Sequence, residues 1–290
     1  MKKVAVFIGV FVIAAVFAQF AYAQTKFSVA EMARSSEAVV VAKVAKINKA
    51  VDPPQVHVNV TSTLKGKTPN KLIVSLLADD AGGNDPKAAA FKPNASYLLF
   101  IIQVENPFAF LFQNLSGKLE VQSGKWLEAH TTLVKGLEAL DKAPSNFERT
   151  RRIVQYLDSP HEIVQEMALT EVQLKSSSYE TNALKPKIQK HISSPNEDVR
   201  KRALMALVRV YAADSETGYS QDLNLIKVLI DKLNDKSLEI REYANQQLRA
   251  HTRKTVEFDP KGSPEERKKG FAEWEKWYKE EKAAKEQSGK

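Results

Sequence analysis

Few side chains in this sequence are typed and spaced for chemistry. Five histidines stand far apart, at His57, His130, His161, His191 and His251. None lies four residues from another, so no pair shares a helical face as a zinc helix requires. There is no cysteine, which excludes a thiolate nucleophile or a zinc–thiolate centre. H-E-x-x-H, G-x-S-x-G, a Walker loop and G-x-G-x-x-G are all missing. The stretch LADDAGGNDP (77–86) gathers hard oxygens on Asp79, Asp80, Asn84 and Asp85. It lacks the closing glutamate of a calcium loop, so a plain surface loop is expected. Catalytic, cofactor-binding and metal-ligating residues are therefore expected to be none. What does recur is a carboxylate two residues before an arginine, at Asp198 and Arg200 and again at Glu239 and Arg241. Near the end, Phe271, Trp274, Trp277 and Tyr278 form an aromatic stripe at spacings of three, three and one.

These residues must be positioned by elements, and the chain divides by period. Residues 1–23 read as a secretory signal peptide: two lysines, an apolar run, then Ala21-Tyr22-Ala23. An uncleaved anchor is the alternative, since the run is just long enough to span a bilayer. No later run could do so. Removing Lys2 and Lys3 would lower the formal charge from +8 to about +6, a mild excess spread along the chain. An exported chain without disulfides must rely on ordinary hydrophobic cores. The expected location is periplasmic or secreted, in a bacterium.

Residues 24–130 read as an all-β, barrel-like domain. AVVVAKVAKI (38–47) is nearly continuous and then alternates, and VHVNV (56–60) alternates strictly. Gly66 breaks the second strand. KLIVSLL (71–77) and YLLFIIQV (97–104) follow, with shorter candidates at 108–112, 119–121 and 126–127. A short helix is expected over 29–34. The order SEAVVVAKVAKI, VHVNVTSTLKGK, FKPNASYLLFI resembles the netrin-like, OB-type barrel modules of secreted proteins. That resemblance covers about residues 28–104. The family's metalloprotease inhibitors act through an N-terminal cysteine, which this chain does not have, so the inhibitory chemistry is not implied.

From residue 131 the period is helical. Residues 131–144 read as a linker helix. SNFE (145–148) fits a capping box. Three stretches then align: LDSPHEIVQEMALTEV (157–172), ISSPNEDVRKRALMAL (192–207) and LNDKSLEIREYANQQL (233–248). Each places a β-branched residue, an alanine and an aliphatic at i, i+4 and i+8: Val164, Ala168 and Val172, then Val199, Ala203 and Leu207, then Ile240, Ala244 and Leu248. That spacing is one helical face, and the alanine lets a neighbour approach. Offsets of 35 and 41 residues fit stacked helix pairs, none of which can bury its face alone. The phrase resembles the HEAT helical repeats. Asp198, Val199 and Arg200 match the family core, Glu239, Ile240 and Arg241 match conservatively, and the first copy departs at Ile163 and Gln165.

The resemblance implies three helix pairs over 145–256, with Asp198, Arg200, Glu239 and Arg241 as a structural ladder between turns. First helices are expected near 147–157, 181–192 and 221–233, with Pro186 kinking the second. SPEER (263–267) starts a further helix. Residues 257–290 are thus a capping helix and tail. There Trp274, Trp277 and Tyr278 either pack on the last repeat or form an exposed partner-binding site.

The basic run RTRR (149–152) with Lys201 and Arg202 is expected to be a solvated helix face. The expected fold class is α+β multidomain: an all-β barrel-like domain, then an α-helical HEAT-like stack. The expected function is a non-catalytic, exported scaffold that binds a protein of the cell envelope. Two other classes stay open: an enzyme or enzyme subunit with a site at the seam between domains, and a binder of an envelope glycan or anionic polymer. Export sets nucleic acid aside as a partner.

Overall fold

The computed structural model describes residues 29–48, 50–51, 55–75, 91–105, 107–111, 118–216, 218 and 221–288. The signal-peptide reading, the acidic loop 77–86 and Phe112 lie outside the described residues. The chain is α+β. It forms two compact units, dividing between Gly124 and Lys125.

The first unit opens with α1 (Val29–Ser35) and continues with β1 (Ala38–Asn48), β2 (Gln55–Lys65), β3 (Lys71–Ser75), β4 (Ser96–Glu105), β5 (Phe108–Leu111) and β6 (Lys118–Glu120). The strands run in the order β1-β2-β3-β5-β4, and β4 returns to pair with β1. The five strands therefore close into a barrel, which removes the exposed edges of an open sheet. Among the described residues β3 and β5 pair in parallel and the other strand pairs are antiparallel. β6 continues the line of β5 along β4: Ile101 faces Leu111, and Leu99 faces Lys118.

The apolar runs have a direct cause. Ala38, Val40, Ala42 and Val44 join the barrel core, with Tyr97, Leu99 and Ile101 from β4. The alternate residues Val39, Val41, Leu98 and Phe100 are buried as well. Val39 pairs with Phe100 and Val41 with Leu98, so these strands are apolar on both faces and lose their alternation. α1 packs against β4 and buries Ala30, Met32 and Ala33. Its C-terminal end is tied by Lys65, whose Nζ donates to the carbonyls of Ala33, Arg34 and Ser36 at 2.8, 2.9 and 2.6 Å. Gly66 follows with φ 75°, and a Cβ there would lie 2.4 Å from the Glu37 carbonyl oxygen. β2 runs from Gln55 to Lys65 and ends at Gly66, as expected. Thr61 stabilises the irregular pairing by donating from Oγ1 to the Val41 carbonyl at 2.9 Å.

The second unit is helical: α2 (Gly124–Asp141), α3 (Asn146–Leu157), α4 (Glu162–Leu174), α5 (Thr181–His191), α6 (Glu197–Ala213), α7 (Leu223–Lys232), α8 (Leu238–Thr252) and α9 (Pro264–Ser288). The helix expected from 131 begins at Gly124, so Trp126 and Leu127 are helical rather than a short strand. Their helix buries Ala129, Leu133, Val134, Leu137 and Leu140 on one face. Trp126 stacks on His130 one turn later, at 3.7 Å between ring centres. Three pairs follow, α3 with α4, α5 with α6, and α7 with α8. The second helices α4, α6 and α8 stack in sequence. Ala168, Ala203 and Ala244 are all fully buried, which is the close approach their size permits. α5 passes through Pro186 without ending. Among the described residues, no helix is long and apolar enough to cross a membrane.

Candidate functional site

The repeated phrase is built around one hydrogen-bond pattern. Ser159 and Ser194 each accept, through Oγ, the backbone N–H two residues on, at 3.2 Å in both copies. Asp235 does the same for Ser237 through Oδ1 at 3.0 Å. A long side chain on the following helix then reaches back to the carbonyl of that same turn residue. Gln165 donates to Ser159 at 2.7 Å, Arg200 to Ser194 at 2.9 Å and Arg241 to Asp235 at 2.9 Å. Gln165 lacks the charge of its counterparts but makes the equivalent bond.

Contacts between repeats complete the ladder. The Arg200 guanidinium meets the Asp235 carboxylate through two parallel bonds of 3.1 Å, and both side chains are almost fully buried. Burial pushes the Asp235 carboxyl up. The Arg200 hydrogen bonds, the Ser237 N–H and the charges of Arg200 and Lys232 outweigh it and hold it below the usual carboxylate range. Asn196 donates to Glu162 at 2.8 Å, and Ser237 donates to Glu197 at 2.6 Å, one repeat apart in each case. Glu239 pairs with Lys201, and Arg202 with Glu166 at 2.7 Å. The carboxylate joined to Arg200 is thus Asp235, not Asp198, which is exposed in the first turn of α6. Arg241 bonds to carbonyls instead, those of Asp235, Lys236 and Pro260.

The aromatic stripe is divided by packing. Trp274 is fully buried, whereas Trp277 and Tyr278 are half-buried. Trp277 meets Trp274 edge to face at 5.7 Å. With His251, Glu281 and Lys285 it lines a recess of about 130 Å³. A partner can reach Trp277 and Tyr278, but Trp274 belongs to the core.

Two features escaped the repeat pattern. Phe147 and Leu174 are 63% and 61% exposed. Phe147 starts α3 and Leu174 ends α4, so the antiparallel pair brings them to one end of the first repeat. Lys175, beside Leu174, pairs with Asp141 at the end of α2. The only sequence signal for such a spot is a large apolar residue off the buried face. The run RTRR is bound rather than free. Arg149 donates to the Leu140 carbonyl and Arg152 to that of Ala139, satisfying the last turn of α2. Hydrogen bonds from Arg151 and Arg152 pull the Glu148 carboxyl down to about 2.

No group of three or more His, Asp or Glu side chains that could hold a metal ion occurs among the described residues. His57 lies on β2, His161 precedes α4, and His130, His191 and His251 occupy separate helices. Burial pushes His130 and His191 below the usual imidazole range, against the opposing bonds to the carbonyls of Trp126 and Leu157. Comparison with known protein families and with curated proteins found no match.

Proposed function

We propose that this protein is an exported, non-catalytic scaffold of the bacterial cell envelope. Its barrel is of the OB or netrin-like type, its stack is HEAT-like, and the stack binds another protein. The observation that carries this reading is that Phe147 and Leu174, at the start of α3 and the end of α4, are 63% and 61% exposed, with the Lys175–Asp141 ion pair next to Leu174 in the chain. Two large apolar side chains left exposed at one end of a helix pair fit a protein contact better than a solvated surface. The ladder side chains are occupied within the stack and serve its geometry.

A second reading, binding of an anionic envelope polymer, is favoured by the outer face of the barrel. Lys43, Asn59 and Lys71 align across β1, β2 and β3. Lys46, His57, Ile73 and Phe108 align in a neighbouring row. Cations beside an exposed aromatic suit a charged polymer.

The test is affinity capture from envelope extract with residues 24–290 as bait, at low and high salt, alongside a Phe147→Glu/Leu174→Glu variant. One protein retained at both salts by the parent chain and lost by the variant is the expected result. Salt-labile polymer on both baits would move the function to the barrel face, and no retained material would remove the scaffold role.

A further inference from the structure

The stack ends on α8, and what covers that helix is an extended strap, residues 255–260. Three α8 side chains at i, i+4 and i+8 hold it by alternate carbonyls. Arg241 donates to Pro260 at 2.9 Å, Asn245 to Phe258 at 3.5 Å and Arg249 to Val256 at 3.3 Å. The two chains are commensurate: four helical residues rise about 6 Å and two extended residues about 6.6 Å. The strap therefore runs antiparallel to α8 and stays in step with it. Its side chains alternate in the same register, with Val256 and Phe258 buried and Thr255, Glu257 and Asp259 exposed.

The strap stands where the next repeat would stand. Arg200 bonds to the Asp235 carboxylate of the following turn, whereas Arg241, its counterpart, bonds to the Pro260 carbonyl. α9 lies over the strap's other side: a Cβ on Gly270 would sit 2.5 Å from the Glu257 carbonyl oxygen. The strap joins the stack at Arg253, an exposed residue with φ 56°.

We propose that the outer face of α8 is a seat for an extended peptide of the pattern apolar-x-aromatic-x-proline. Residues 256–260 are its built-in occupant, and a partner segment of that pattern takes the seat when the strap swings out at Arg253. Three backbone carbonyls held by α8 and the alternating buried side chains of Val256 and Phe258, the latter also against Gly270 of α9, define the ligand, so the flanking positions are free to vary. The inference rests on the protein-binding reading only for the existence of a partner.

The probe is a fluorescent peptide of residues 254–262, titrated against the full chain carrying Phe258→Ala, whose own strap is weakened. Saturable binding is expected, about tenfold or more tighter than to the parent chain and than that of a peptide with the same Phe→Ala change. Adding Asn245→Ala to the receptor should weaken it further. Absence of saturation up to about 1 mM, or indifference to the peptide's phenylalanine, overturns the proposal.

Should Phe258→Ala fail to fold, a protease site placed after Arg253 in the full chain gives a second test. After the cut, the 254–288 piece should leave on dilution while the helical signal persists, and the labelled peptide should bind in its place. Retention of the piece until the stack unfolds overturns the seat. Peptide binding without a captured envelope protein would leave the seat standing and remove the scaffold reading, and the reverse pair of results would do the opposite.

Discussion

Arg200 and Asp235 show how much one pair of residues can hold. Both charges are out of water, and each is satisfied mainly by the other. Arg200→Ala would leave the buried Asp235 carboxylate with only the Lys232 ammonium at 3.3 Å and the Ser237 N–H, at a cost of up to about 3–5 kcal/mol, read as a lower urea midpoint of the helical signal. Because the folded Asp235 carboxyl is held below its unfolded value, its contribution is complete above about pH 4 and is lost as pH falls through the folded pKa. Trp274 illustrates a different energetics. Its indole N–H makes no hydrogen bond among the described residues, so Trp274→Phe gives up packing alone. Trp274→Ala should cost about 3–5 kcal/mol and Trp274→Phe clearly less, by the same urea measurement. His130 and His191 are both depressed by burial. A depressed imidazole stabilises the fold above its unfolded pKa, near 6.5, and that part is lost as pH drops below it. The urea midpoint should therefore fall between pH 7 and pH 5, and a His130→Gln/His191→Gln chain should show a flatter dependence.

Elements here depend on single positions where backbones meet. At Gly66 a side chain would need a left-handed backbone and would overlap the Glu37 carbonyl. Gly66→Ala should destabilise the barrel by roughly 1–3 kcal/mol, seen as a lower melting temperature of the β signal. The repeat ladder permits a constructive test. Gln165 occupies the place of Arg200, and Ser194 occupies the place of Asp235. Gln165→Arg alone would bring an unpaired guanidinium to the turn, whereas Gln165→Arg with Ser194→Asp would rebuild the missing rung. The two changes should couple favourably by about 0.5–3 kcal/mol in a double-mutant cycle; additive effects would show that the first two repeats do not share the geometry of the last two.

At the scale of the whole molecule the division at Gly124 and Lys125 makes the helical unit separable. Residues 125–290 expressed alone should keep their helical circular dichroism and unfold in one cooperative transition. The sequence by itself determined that the chain is β first and helical after. Alternation in residues 56–60 and the i, i+4, i+8 phrases are local periodicities that tertiary packing merely completes. It determined the three pairs for the same reason, since a stack needs the same residues at the same offsets. Closure of the barrel was legible only through the resemblance to OB-type modules, because β4 meets β1 across more than fifty residues and no local pattern encodes that pairing. The sequence did not show that Arg200 answers to Asp235, that Trp274 is core while Trp277 is not, or that an extended strap ends the stack. Each of these is decided by which side chains arrive at the same place. Periodicity assigns a residue to a face, and only the assembled fold decides what that face meets.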